Sequence, residues 1–215
     1  MQRLRVKFSR EEEIKFISHL DIIRLWQRAF TRARIPLAYS EGFNPHPKIS
    51  LAVPLSVGVT SAAELMDVLL TRPVSPHYFT SAVGQHLPQG IRVLMASQVG
   101  LNLPSLQSAV RFAEYSVVIA AEKDRAEVES DLRSLLALAS LPWQHQRDTG
   151  PHKYDLRALI DDVRLTGWQS GCVTLGMRLR CDSAGSGRPE QVTAALGLTA
   201  YPSTIHRTGI VVGEG

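Results

Sequence analysis

At 215 residues, with 44% hydrophobic and 20% charged side chains, the chain is long enough for one large domain or two small ones and has the balance of a soluble globular protein. No apolar run approaches the roughly 20 residues that cross a bilayer, and the opening MQRLRVKFSR lacks the apolar core of a signal peptide, so we expect a cytoplasmic protein with no membrane partner. The formal charge of +4 is unevenly placed: 12 Lys and Arg stand against 7 Asp and Glu in residues 1–100, and 12 against 13 in residues 101–215.

Nearly all of the excess lies before residue 49. Clustered positive charge points to a polyanionic partner more strongly than net charge does. The two cysteines, Cys172 and Cys181, form no CxxC pair and stand nine residues apart in one predicted strand, so they face opposite ways and fit buried small hydrophobes better than a disulfide or a metal pair.

In chain order, LRVKFSR alternates as a strand does. Ser18 fits an N-cap with Asp21 at the third helical position. Over 19–34, His19, Ile22, Ile23, Leu25, Trp26, Ala29, Phe30 and Ala33 fill one arc of a helical wheel. Arg24, Arg28, Arg32 and other polar residues fill the rest, with Leu20 the one apolar intruder. Pro36 ends that helix. KISLAVPL and AELMDVLL read as strands joined through SVGVTSA. Ser75-Pro76 opens a second helix, and IRVLMASQV is another strand.

The second half repeats this order. FAEYSVVIAA is a strand, and Val128, Leu132, Leu135 and Leu136 give a helical stripe over 125–138. DDVRLTG and CVTLGMRLRC form a hairpin around Gln169-Ser170-Gly171. RPEQVTAALG is a short helix and STIHRTGIVV a final strand. Twice over, the order is βαββαβ. The expected fold is therefore α+β, two tandem ferredoxin-like units packed together, residues 1–100 and 110–215, joined near 99–110. Each unit carries a long link between its first helix and second strand, residues 35–47 and roughly 140–160. If the units lie side by side, the two links border one cleft.

Long links in compact domains are more often functional than decorative. In the first, Gly42 opens conformations closed to other residues, and Pro45 and Pro47 stiffen the chain after it. Tyr39 and Phe43 can stack on bases, Asn44 and His46 can meet a base edge, and Lys48 can meet a phosphate. The same residues also fit a plain role in which Phe43 pins the segment to the core and Asn44 caps a turn. Arg24, Arg28 and Arg32, spaced i, i+4, i+8, make one ridge suited to a phosphate backbone, or a merely solvated face with Asp21 paired to Arg24. His19, Lys153, Tyr154 and Arg157 form a secondary cluster, with a buried histidine and an ordinary surface loop as the alternatives. Neither His19 with Asp21 nor His46 has the company of further ligands at metal spacing. No Gly-rich phosphate loop, nucleophile elbow or HExxH occurs, so no metal and no cofactor are expected.

The stretch FISHLDIIRLWQRAFTRARIPLAYSEGFNPHPKISLAVPLSVGV, continuing through AELMDVLL and later KYDLRALI and RPEQVTAALGL, resembles the DUF2344 family of radical SAM-associated bacterial proteins. The resemblance implies association with radical SAM proteins, because relatives occur fused behind such a domain or encoded beside one. It also implies an RNA theme, because relatives lie near genes for RNA processing and ribosomal proteins. This chain has no CxxxCxxC, so radical SAM chemistry would belong to a separate partner chain. A paired ferredoxin-like layout is also similar to that of CRISPR repeat-processing endoribonucleases and of some tRNA pseudouridine synthases, an analogy of architecture alone.

Three functions fit. The first is a non-catalytic RNA-recognition module that presents RNA or a ribonucleoprotein to a radical SAM partner. The second is a metal-independent RNA-processing enzyme using His46 or His19 with Tyr39 or Lys48. The third is a protein-interaction adaptor for a radical SAM enzyme.

Overall fold

The computed structural model describes residues 1–147, 150–169 and 171–213, without the side chains of residues 146 and 147. Its fold is α+β, with five α-helices among the described residues. The chain divides into two compact units, one of Met1–Val110 joined by the residues from Val212 on, the other Arg111–Val211.

In the first unit the elements are β1 (Gln2–Arg10), α1 (His19–Arg32), β2 (Ile49–Leu51), β3 (Thr60–Leu70), α2 (Pro76–Gly84), β4 (Ile91–Val99) and the short α3 (Leu106–Ala109). The strands pair antiparallel in the order β4-β1-β3-β2. Alternation along β1 puts Leu4, Val6 and Phe8 on the buried side and Arg3, Arg5 and Lys7 on the other. Arg5 stands opposite Asp67 of β3, and its guanidinium reaches both carboxylate oxygens at 2.8 and 3.0 Å. That hydrogen bond raises the Arg5 pKa above its ordinary value.

Four rings lock the helices to this sheet. Trp26 meets Phe8 edge-on at 4.9 Å and stacks near Phe30 at 5.4 Å, and Phe30 lies 5.6 Å from Phe79 of α2. All four are fully buried. Their contacts fix the rotation of α1 about its axis, and with it which side chains face water.

The second unit contains β5 (Val110–Ala120), α4 (Arg125–Ala137), β6 (Pro142–Arg147), β7 (Gly150–Asp155), β8 (Ile160–Gln169), β9 (Cys172–Asp182), β10 (Gly185–Ser186), α5 (Pro189–Ala195) and β11 (Thr204–Val212). The order here is β11-β5-β9-β8, with β10 also on β9. β6 and β7 pair only with each other, as a separate ribbon. A full capping box, Asp124 with Glu127, starts α4. Cys172 and Cys181 are free and lie on opposite faces of β9, the latter buried.

Three expectations need correction. The strand expected over KISLAVPL shrinks to Ile49–Leu51, and Pro54 beyond it has no N–H for a ladder. The links 35–47 and 140–160 are not open loops, because backbone pairing folds both into hairpins. His19, Ile23 and Leu25, expected on the buried arc of α1, are only half-buried: Ile22, Trp26, Ala29 and Phe30 are the buried stripe of the helix, with Ala33 buried just past it, and Ile23 and Leu25 pack against its edge. Ser170, expected in the β8–β9 turn, lies outside the described residues, as do Asp148 and Thr149 of the second link.

Candidate nucleic-acid interface

Helix α1 is held at both ends. At its start the Ser18 hydroxyl accepts from the Asp21 N–H at 3.2 Å and donates to the Asp21 carboxylate at 2.7 Å. That donation, with help from Arg24, holds the Asp21 carboxyl below the usual carboxylate range. At its end the Arg34 N–H bonds Thr31 O and the Ile35 N–H bonds Phe30 O. This is a Schellman closure with Arg34 in the left-handed position, φ 53°, where glycine is the usual occupant. Ile35, one residue on, is buried.

With the rings facing the sheet, Arg24, Arg28 and Arg32 face water. Together with Gln27 and Thr31 they line a shallow open hollow of about 360 Å³ on the helix surface. Four residues of helix rise about 6 Å, so the three guanidinium groups follow one another at roughly that interval. Arg24 pairs with Asp21 at 3.1 Å, but both side chains are more than half exposed, and such a pair opens at little cost. Arg28 reaches the Arg24 carbonyl at 3.3 Å. Arg32 has no ion pair among the described residues, so at least one full positive charge faces solvent directly.

Beyond Arg34 the chain turns into a hairpin. Ala38 and Lys48 pair at its root (Lys48 N–H to Ala38 O, 2.8 Å), Tyr39 lies across from Pro47, and the Ser40 N–H bonds His46 O at 2.8 Å. The Ser40 hydroxyl accepts from the His46 N–H at 2.9 Å, closing the arms once more. Ala38 N–H to Leu69 O and Leu69 N–H to Lys48 O tie the root to β3. Gly42 turns the tip at φ 116°, a conformation that only glycine adopts without strain.

Phe43 sits at that tip with 105% relative exposure, so the role in which it pins the segment to the core is excluded. Tyr39 is half exposed, and Asn44, His46 and Lys48 are exposed. The structure thus brings all eight residues of the primary cluster onto one helix and the hairpin after it in the first unit.

The secondary cluster has members in both units. His19, half-buried in the first turn of α1, belongs to the first unit. Lys153, Tyr154 and Arg157 belong to the second, and two of them serve the fold. Arg157 donates to Leu136 O at 3.0 Å and Ile160 O at 2.6 Å, fastening the root of the ribbon to α4 and β8. The Tyr154 hydroxyl donates to Gln191 of α5 at 2.7 Å. Lys153 alone is exposed. On the ribbon face that carries Tyr154, register places His145 opposite His152 and Trp143 opposite Tyr154. His152 stacks near Tyr154 at 5.4 Å, and Arg188 lies 3.5 Å from His145. Sequence reasoning passed over His145, His152 and Arg188, although the every-second-residue spacing of Trp143 with His145 and of His152 with Tyr154 signalled a shared face. Arg34, expected on the polar arc of a helix over 19–34, lies instead past the end of α1 in the left-handed position.

These features define an α+β protein with an arginine-faced helix leading into an exposed aromatic hairpin. The family described as uncharacterized proteins conserved in bacteria, DUF2344, matches residues 3–189, and the chain belongs to it. No curated protein matches by sequence. Among solved structures, one described as a Cbf5-Nop10-Gar1 complex has a chain similar at TM-score 0.51 and 8% identity, covering 96% of this chain and 48% of that one. An archaeal box H/ACA sRNP Nop10-Cbf5 complex gives TM-score 0.47 and 9% identity, covering 99% and 48%. The chain therefore spans about half the length of these neighbours, and at 8% identity the likeness to the first bears on the fold alone. Among the described residues, no helix is long and apolar enough to cross a membrane.

Proposed function

We propose that this chain is an RNA-recognition module, itself non-catalytic, built of two ferredoxin-like units (residues 1–100 and 110–215) and acting beside a radical SAM protein. The strand orders β4-β1-β3-β2 and β11-β5-β9-β8, each with the connectivity βαββαβ, support the fold assignment. The sequence resemblance supports the radical SAM partner.

One observation carries the RNA reading: core packing turns Arg24, Arg28 and Arg32 to water in a single file, and the chain then rises into an aromatic hairpin. Such a file neutralises successive phosphates, while rings and edges are left for bases. A solvated face needs no arginines in file and no bare phenylalanine on the hairpin that follows them.

Equilibrium binding of fluorescent RNA to the full chain across a salt series tests this. Micromolar or tighter affinity that falls steeply with salt is expected, and Arg24→Ala with Arg28→Ala should weaken binding and flatten the slope by about two. Binding indifferent to salt contradicts the proposal. Discrete RNA cleavage in the presence of chelator, lost in His46→Ala, would indicate an enzyme instead. RNA-independent capture of a radical SAM protein, with no RNA affinity, would indicate an adaptor.

A further inference from the structure

We infer that this surface selects RNA with unpaired nucleotides over continuous duplex, and that the Phe43 ring is the stacking partner of one exposed base. The inference rests on the RNA-binding reading above and names the form of RNA that the site takes. Its starting point is the full exposure of Phe43, which leaves an aromatic ring wholly in water at the end of a projection. Left alone, an apolar ring collapses onto the nearest apolar surface, because that removes its area from water.

Here the ring stays out, at the tip of a hairpin whose arms are bonded to each other. The arms are closed by two bonds between Ser40 and His46, the root is tied to β3, Gly42 sets the turn, and Pro45 and Pro47 fix the returning arm. The hairpin backbone is thus held before any ligand arrives, which lowers the ordering cost of binding to the rotation of the ring itself.

The shape of the ligand is set by the surfaces a bare ring can reach. In a duplex each base is covered above and below by its neighbours. The deep, narrow major groove of A-form RNA does not admit side chains, so a projecting ring gains little there. A base in a loop, bulge or single strand has a free face, and stacking on it is the usual aromatic contribution to RNA recognition. Tyr39, half exposed on the hairpin arm, offers a second ring. Phosphates on either side of an unpaired base are also free to follow the straight file of guanidinium groups on α1.

The test uses the full chain and three fluorescein-labelled RNAs of equal nucleotide number: an unstructured strand, a stem–loop and a blunt duplex. The two RNAs with unpaired bases should bind about tenfold tighter than the duplex, the size of one base–aromatic stack. Phe43→Ala should erase that preference while leaving duplex affinity unchanged, and Phe43→Trp should keep it. Because the ring touches nothing in the fold, neither variant should alter the amide NMR spectrum outside the hairpin. A 2-aminopurine placed in the loop should be quenched on binding the native chain and less so with Phe43→Ala. Equal affinity for all three RNAs, or equal losses on all three with Phe43→Ala, overturns this inference. If RNA binds and responds to the arginine substitutions but not to Phe43, the recognition module stands and only the selection for unpaired bases falls. If no RNA binds, both fall.

Discussion

Arg34 sits where a helix closure ordinarily takes glycine. Its left-handed backbone costs a non-glycine residue about 1 kcal/mol. Nothing in the closure itself needs the side chain, which is exposed between the arginine file and the hairpin. Arg34→Gly should therefore stabilise the fold by roughly 0.5–1 kcal/mol in urea denaturation. The same variant should bind RNA more weakly, with a salt slope smaller by about one, as for loss of a single phosphate contact. A variant that gains stability with RNA affinity unchanged would show that Arg34 is outside the interface. Gly42 is the complementary case: at φ 116° it already has the conformation its position requires, and any side chain there strains the hairpin tip.

At the scale of elements, the hairpin and the ribbon are each held by a few local bonds. In the ribbon, Asp155 accepts from the Leu141 N–H at 2.8 Å and the Arg157 N–H at 2.9 Å, closing the root across both arms. The Leu141 bond, seconded by Ser140, Arg157 and Ala158, outweighs desolvation and holds this carboxyl below the usual carboxylate range. A depressed folded-state pKa means the clamp is fully in place above the ordinary aspartate value near 4. It is lost as pH falls through the lower folded value. Amide NMR spectra on acidification should show the β6–β7 resonances collapsing there before those of β1 and β3, and Asp155→Ala should show the loosened ribbon at neutral pH. Ribbon resonances that persist unchanged in Asp155→Ala would refute the clamp.

Helix α1 was legible in the sequence because its core stripe, Ile22, Trp26, Ala29 and Phe30, keeps helical spacing whatever surrounds it. The hairpin at 38–48 was not. Its pairing runs through Ser40 and His46 backbone groups, and its side chains carry no apolar alternation to betray it. The ribbon was hidden for a related reason: its alternation sets rings against polar groups, where a buried strand sets apolar against polar. The residues of the primary cluster were legible by type. Their placement, above all the bare Phe43, depends on which backbone groups pair, and residue type does not encode that.

Across the whole molecule the charge excess is confined to the first hundred residues, and within them to the part before residue 49. The same stretch holds α1 and the hairpin, so the sign of the field and the shape of the surface coincide there. On the proposed reading, a polyanion is steered to this stretch and then held by contacts whose strength falls with salt. The most direct measurement is ultraviolet crosslinking of the full chain to cellular RNA, followed by trypsin digestion and mass spectrometry. Cleavage after Arg34 and Lys48 releases the hairpin as one peptide, IPLAYSEGFNPHPK, which contains both Tyr39 and Phe43. Nucleotide adducts concentrated on that peptide are the expected result. Adducts confined to other peptides, or a chain that retains no RNA, would contradict the account.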